Sequence, residues 1–140
     1  MAKRFDFDKK NAALKKMQQR IPALIGTIAL KHFEQSFRNQ GFTDSTLDPW
    51  VARKSKNKSD RNNPRRRAIL VDSGALSKSG KVHSANWERI VVGFYGVEYG
   101  KYHNRGEGHN PKRQFIGPSK VLTKRVSDLL NNEIKKIISK

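Results

Sequence analysis

Residues 81–94 read KVHSANWERIVVGF, two short apolar runs separated by a break at Asn86, and this stretch decides the fold class. Val82 to Ala85 and Trp87 to Phe94 read as strands paired in a hairpin. In the second run Ile90, Val92 and Phe94 fall on one face and Val91 and Gly93 on the other, because strand side chains alternate. Apolar residues on both faces predict a central strand. Just upstream, AILVD at Ala68–Asp72 reads as a short buried strand, followed by a Ser73-Gly74 turn and a helical turn over Ala75–Ser79. The expectation is a small antiparallel sheet of three strands.

Outward from the sheet lie two amphipathic helices. Between Phe7 and Gln40 the residues Leu14, Met17, Ile21, Leu24 and Ile28 recur at spacings of three and four, joined by Ile25, Phe33 and Phe37. That is the stripe of a long helix. Such a stripe suits a coiled-coil seam or a core-facing side, and core is the commoner fate. Asp6 or Asp8 is placed to cap its start, and Gly41 suits a left-handed end. Pro22 falls inside the pattern and predicts a kink or break near Ile21. The second helix opens at Gly117-Pro118, proline suiting a first helical position. Val121, Leu122, Val126, Leu129, Leu130, Ile134, Ile137 and Ile138 form its apolar side. Lys135, Lys136 and Lys140 complement the dipole at its end. Between sheet and second helix, Val97–Arg105 reads as a short helix or turn, and a Gly-rich loop runs to Lys112. The fold class is α+β: long N-terminal and C-terminal helices packed on a small antiparallel sheet, one domain over residues 1–140.

The charge is the loudest feature of the composition. Thirty Lys and Arg face twelve Asp and Glu, giving +18 over 140 residues. Such a field attracts polyanions: nucleic acid, an anionic membrane or an acidic protein face. The cations concentrate in ARKSKNKSDRNNPRRRA, residues 52–68, where Arg53, Lys54, Lys56, Lys58, Arg61, Arg65, Arg66 and Arg67 face a single acid, Asp60. With no apolar periodicity and an Asn-Asn-Pro interruption, residues 52–67 are expected to form a flexible basic arm. Its composition suits gripping phosphate backbone, but it lacks interleaved aromatics for base stacking. No run approaches the ~20 apolar residues of a membrane span, and no membrane partner is expected. The start, MAKRFDFDKK, lacks the apolar region of a secretory signal, and cysteine is absent, which fits a reducing cytoplasm.

For chemistry the one tempting cluster is YHNRGEGHN, residues 102–110, where His103 and His109 stand six apart around Glu107. A His-Asn-His metal-dependent nuclease is its sharpest reading. Such sites are framed on a strand pair and a helix, whereas these residues fall in a Gly-rich loop. There is no phosphate-cradling loop, no nucleophile elbow and no paired carboxylate set. The expectation is no catalytic residue, no metal and no cofactor, with non-specific nucleic-acid binding as the alternative function.

Three segments together resemble the phage virion morphogenesis family, the tail-completion proteins of contractile-tailed phages such as Mu and P2. Trp50 followed by ILVDSGALSKS, residues 69–79, is similar to the family's W…ILv-x-[ST]G-x-L-x-x-S run. Val92-Gly93 followed by VEYGKYHNRG, residues 97–106, is similar to its vG…yA-x-x-H-Q-x-G segment. RQFIG, residues 113–117, is similar to its R-P-F-L-G. Asn104, Gly100 and Gln114 stand where the family has Gln, Ala and Pro. The resemblance spans Trp50 to the C-terminus and marks Trp50, Gly74, Leu76, Gly93, His103, Gly106, Arg113, Phe115 and Gly117 as structural residues. It implies a non-enzymatic protein of tail completion or head–tail joining, made in the bacterial cytoplasm from a phage or prophage gene and located at the virion neck. It also implies partners among head–tail connector and tail proteins, and a homo-oligomeric ring. The basic arm would then meet DNA non-specifically or dock on an acidic protein rim.

Overall fold

The computed structural model describes residues 4–52, 68–71 and 73–140. The chain forms α1 (Phe7–Asn39), β1 (Gly41–Thr43), β2 (Leu47–Pro49), α2 (Ala75–Lys78), β3 (Gly80–Ala85), β4 (Ile90–Phe94), α3 (Tyr99–Arg105) and α4 (Lys120–Ser139). The expected α+β class holds. The sheet differs from expectation: β1 pairs with β2 and β3 with β4, in two separate two-stranded antiparallel sheets.

Helix α1 begins where Asp6 accepts a hydrogen bond from the Lys9 amide at 3.1 Å, which satisfies one of the orphan N–H groups of the first turn. It runs unbroken through Pro22, so the expected break does not form. Proline removes only its own amide bond to the preceding turn, and Met17, Ile21, Pro22 and Gly26 are all buried around it, so packing carries the helix across. The left-handed residue at its end is Gln40 (φ 53°) rather than Gly41. Gln40 is held there because its side-chain amide donates to the carbonyls of Phe37 and Ile69 and accepts from the Ile69 amide. Gly41 serves another purpose: a Cβ there would stand 2.5 Å from the Asp48 carbonyl oxygen, so β1 and β2 can approach only because the residue is glycine.

The Gln40 bonds also explain why Ala68–Val71, the described part of the expected strand, is not a strand. Ile69 has its amide and carbonyl satisfied by one side chain, Val71 donates to Ala68 at 3.2 Å, and Leu70 adopts φ 59°. With its polar groups paired locally, the segment turns instead of joining a ladder. Its apolar side chains still reach the core. The hairpin of β3 and β4 forms as expected, with a bulge between Val82 and Ser84. Its turn is closed by Asn86, whose side-chain oxygen Oδ1 accepts from the amides of Glu88 and Arg89 at 3.0 and 2.8 Å. Among the described residues β4 has β3 as its one neighbour, so it is not central, and all five of its residues are half-buried.

Helix α4 starts two residues later than expected, at Lys120 rather than Pro118. Ser119 is its cap, accepting from the Leu122 amide while donating to the Thr43 carbonyl at 2.8 Å. Asp44 takes the Lys120 amide at 2.8 Å, so the β1–β2 turn supplies a second cap. From there α4 runs antiparallel to α1, tied by Arg20 to Glu133 at 2.6 Å and by the Lys10 ammonium to the carbonyls of Ile137 and Ile138 at 2.8 and 2.7 Å. No residue of α4 is fully buried. No helix among the described residues is long and apolar enough to cross a membrane.

Candidate functional site

The core is an aromatic cluster of Phe37, Trp50, Leu76 and Phe115, with Ile69, Leu70, Val71, Phe94, Val97 and Ile116 around it. Phe37 is its hub, with ring centroids 5.7 Å from Trp50, 5.6 Å from Phe94 and 5.2 Å from Phe115. Such tilted and edge-to-face pairs add to simple area burial. Four distant stretches of chain therefore meet here: the end of α1, the segment after β2, α2, and the extended run before α4.

The extended run, residues 113–116, is held from three sides. The Trp50 indole N–H donates to the Gln114 carbonyl at 2.7 Å. Asn104, on α3, accepts from the amides of Phe115 and Ile116 at 2.9 and 3.1 Å. Ser36, on α1, donates to the Phe115 carbonyl at 3.2 Å. The Arg113 amide donates to the His103 carbonyl at 2.7 Å, and its guanidinium donates twice to the Val51 carbonyl, at 3.2 and 3.0 Å. Buried polar groups need such partners, and this run has no sheet to provide them.

These contacts account for most residues marked in the sequence. Trp50, Leu76, Arg113 and Phe115 are buried together. Gly74 precedes α2 with φ 78°, Gly106 ends α3 with φ 71°, Gly93 lies in β4 opposite Lys81, and Gly117 passes close to the Gln114 amide. Gly100 stands where the resembled motif has alanine, and a Cβ there would stand 2.8 Å from Leu76 Cδ1. The helix α3 therefore approaches α2 more closely than alanine allows. Asn104 likewise stands where the motif has Gln, and its double acceptor role was not legible, because the partner amides lie eleven and twelve residues away. Gln40 carried no signal at all.

His103 sits at the edge of this cluster. Its buried Nδ1 has no hydrogen-bond partner among the described residues. Burial, then the Arg113 guanidinium, holds its pKa below the ordinary 6.5. Among the described residues no three His, Asp or Glu side chains gather as a metal site. Arg53, Lys54, Lys56, Lys58, Arg61, Arg65, Arg66 and Arg67 lie outside the described residues. The residues flanking them do not: Val51 is gripped by Arg113 and Ile69 by Gln40. The cluster thus anchors both sides of the basic stretch.

No family model, curated protein or solved structure matches this chain.

Proposed function

We propose that this chain is a non-catalytic assembly protein of a tailed bacteriophage, acting in tail completion or in joining tails to filled heads. The observation that carries the reading is the convergence of the motif residues. Trp50 and Leu76, Asn104, and Arg113 and Phe115 come from three separate motif segments, and they pack or hydrogen-bond in one cluster. The same cluster fixes Val51 and Ile69, between which the sequence places eight cations.

In this reading Arg53, Lys54, Lys56, Lys58, Arg61, Arg65, Arg66 and Arg67 are a contact arm based on a rigid root. Its targets are DNA phosphates near the channel or an acidic face of a connector or tail protein. Copies of the chain assemble as a ring at the virion neck, which requires heterologous interfaces. Replacing Arg65, Arg66 and Arg67 together by Ser leaves the melting temperature of the purified protein unchanged and lowers the yield of joined particles. Normal particle yield from that mutant refutes the role of the arm.

The charge of +18 favours a second reading, non-specific binding of nucleic acid. It predicts affinity that persists at ~0.15 M salt and falls steeply above it. Binding already lost at that salt is ordinary polycation behaviour and removes this reading.

A further inference from the structure

A second surface lies at the far end of the helix pair. The first four turns of α1 and the last two turns of α4 line a groove of about 900 Å³. Its floor is apolar: Phe5, Ala13, Met17, Ile137 and Ile138. Phe5 and Ile138 are 53% and 62% exposed, more than large apolar side chains need to be when a helix face is fully covered. On α1 the lining positions Lys9, Ala13, Lys16, Met17 and Arg20 fall at helical spacing on one side, so at about 1.5 Å per residue the stripe spans three turns.

The rim is cationic, and much of that charge is unspent. Lys10 caps the carbonyl end of α4, and Arg20 and Lys136 share Glu133. Arg4, Lys9, Lys16 and Lys140 make no ion pair among the described residues. Against them the lining contains two acids, Asp6 and Glu133. Asp6 caps α1, and Glu133 is already doubly paired.

We propose that this groove docks an acidic amphipathic segment of a partner protein. Apolar side chains of the segment lie on Phe5, Ile137 and Ile138, and its carboxylates meet Arg4, Lys9, Lys16 and Lys140. Both halves of the surface are needed to choose this occupant. DNA phosphates would satisfy the rim and leave the apolar floor uncovered. A second copy of the chain brings the same excess of cations to a rim of like sign. Residues 53–67, with eight cations and one acid, are repelled for the same reason. A small molecule has no convergent buried polar group to orient it, and the charges are strung along three turns rather than gathered at a point. The remaining geometry is a helix or extended strand of several residues, the helix-in-groove mode of recognition.

The inference deepens the head–tail reading by naming the chemistry of one partner, but its test uses the purified chain alone and stands or falls separately from particle yield. The probe is a fluorescein-labelled 18-residue peptide with Leu at helical spacing and Glu between, followed by anisotropy at ~0.15 M salt, where surface charge alone is largely screened. A scrambled peptide of equal composition and a duplex DNA of similar charge run in parallel. Lys9→Gln with Lys16→Gln weakens the amphipathic peptide about tenfold, and Ile138→Ser does so separately. Lys78→Gln with Lys81→Gln, which are exposed and do not line the groove, leaves it unchanged. All these side chains are solvent-exposed, so the variants retain the wild-type fold by circular dichroism. Equal binding of the scrambled peptide, or equal loss with the control lysines, overturns the proposal. So does a groove variant that weakens DNA but not the peptide.

Discussion

Replacing Trp50 by Phe tests the cluster at the point where packing and hydrogen bonding coincide. The substitution removes the indole N–H that donates to the Gln114 carbonyl at 2.7 Å and shrinks a side chain that is 8% exposed. A buried carbonyl left without its donor costs about 1–3 kcal/mol, and the smaller ring leaves a partial void worth about 1 kcal/mol more. The sum is roughly 2–4 kcal/mol. For 140 residues at about 2.1 cal/mol/K each, the unfolding entropy converts this to a fall in melting temperature of roughly 7–14 °C. Thermal melts followed by circular dichroism measure it. The same variant has an optical signature: Trp87 is 50% exposed, so the emission that remains comes from a wet indole and moves to the red. A fall of less than about 2 °C, or an emission maximum that does not move, would mean that Trp50 does not hold the extended run, and the reasoning fails.

Two further predictions follow from the same contacts. Gly100→Ala places a methyl against Leu76, where 2.8 Å is available, and lowers stability by about 1–3 kcal/mol, although in an exposed helix the same change stabilises; urea titration gives the sign. Acid sensitivity begins above the carboxylate range. Burial lowers the pKa of His32 despite its bond to the Thr43 carbonyl, and burial and Arg113 lower that of His103. A depressed histidine takes its proton more readily when unfolded, so stability is full above the ordinary value near 6.5 and declines as pH falls below it. A second decline comes when pH drops below the ordinary 4.5 of a glutamate, because hydrogen bonds from Lys136 and Arg20 hold the Glu133 pKa down. Urea midpoints at several values between pH 8 and pH 3 resolve the two limbs, and Glu133→Gln removes part of the lower one.

The elements that were legible in the sequence are those whose own residues determine them. The stripe of α1, its Asp6 cap, the β3–β4 hairpin and the apolar side of α4 follow from periodicity and capping chemistry. The misread places are those where a distant side chain supplies the deciding bond. Ala68–Val71 has the composition of a strand, but Gln40 takes both polar groups of Ile69. The start of α4 moves past Pro118 because Thr43 and Asp44 hold Ser119 and Lys120. The strands β1 and β2, three residues each, are too short for alternation to show.

The candidate site divides along the same line. Trp50 and Leu76 stand in one motif and Arg113 and Phe115 in another, but nothing in the spacing shows that Arg113 reaches back to Val51, a contact across 62 residues. The basic stretch was legible from composition alone. The groove between the helix ends was not, since it depends on Lys10 meeting the end of α4 across 127 residues, while Lys9 and Lys16 make no ion pair among the described residues.

The central claim is that this chain belongs to the head–tail junction of a virion. Quantitative mass spectrometry of purified particles, from the strain that carries the gene after prophage induction, tests it most directly. The account predicts a fixed, ring-sized number of copies per particle, counted against the portal protein. Particles that hold every other tail protein, join normally and lack this chain at every stage of assembly would contradict it.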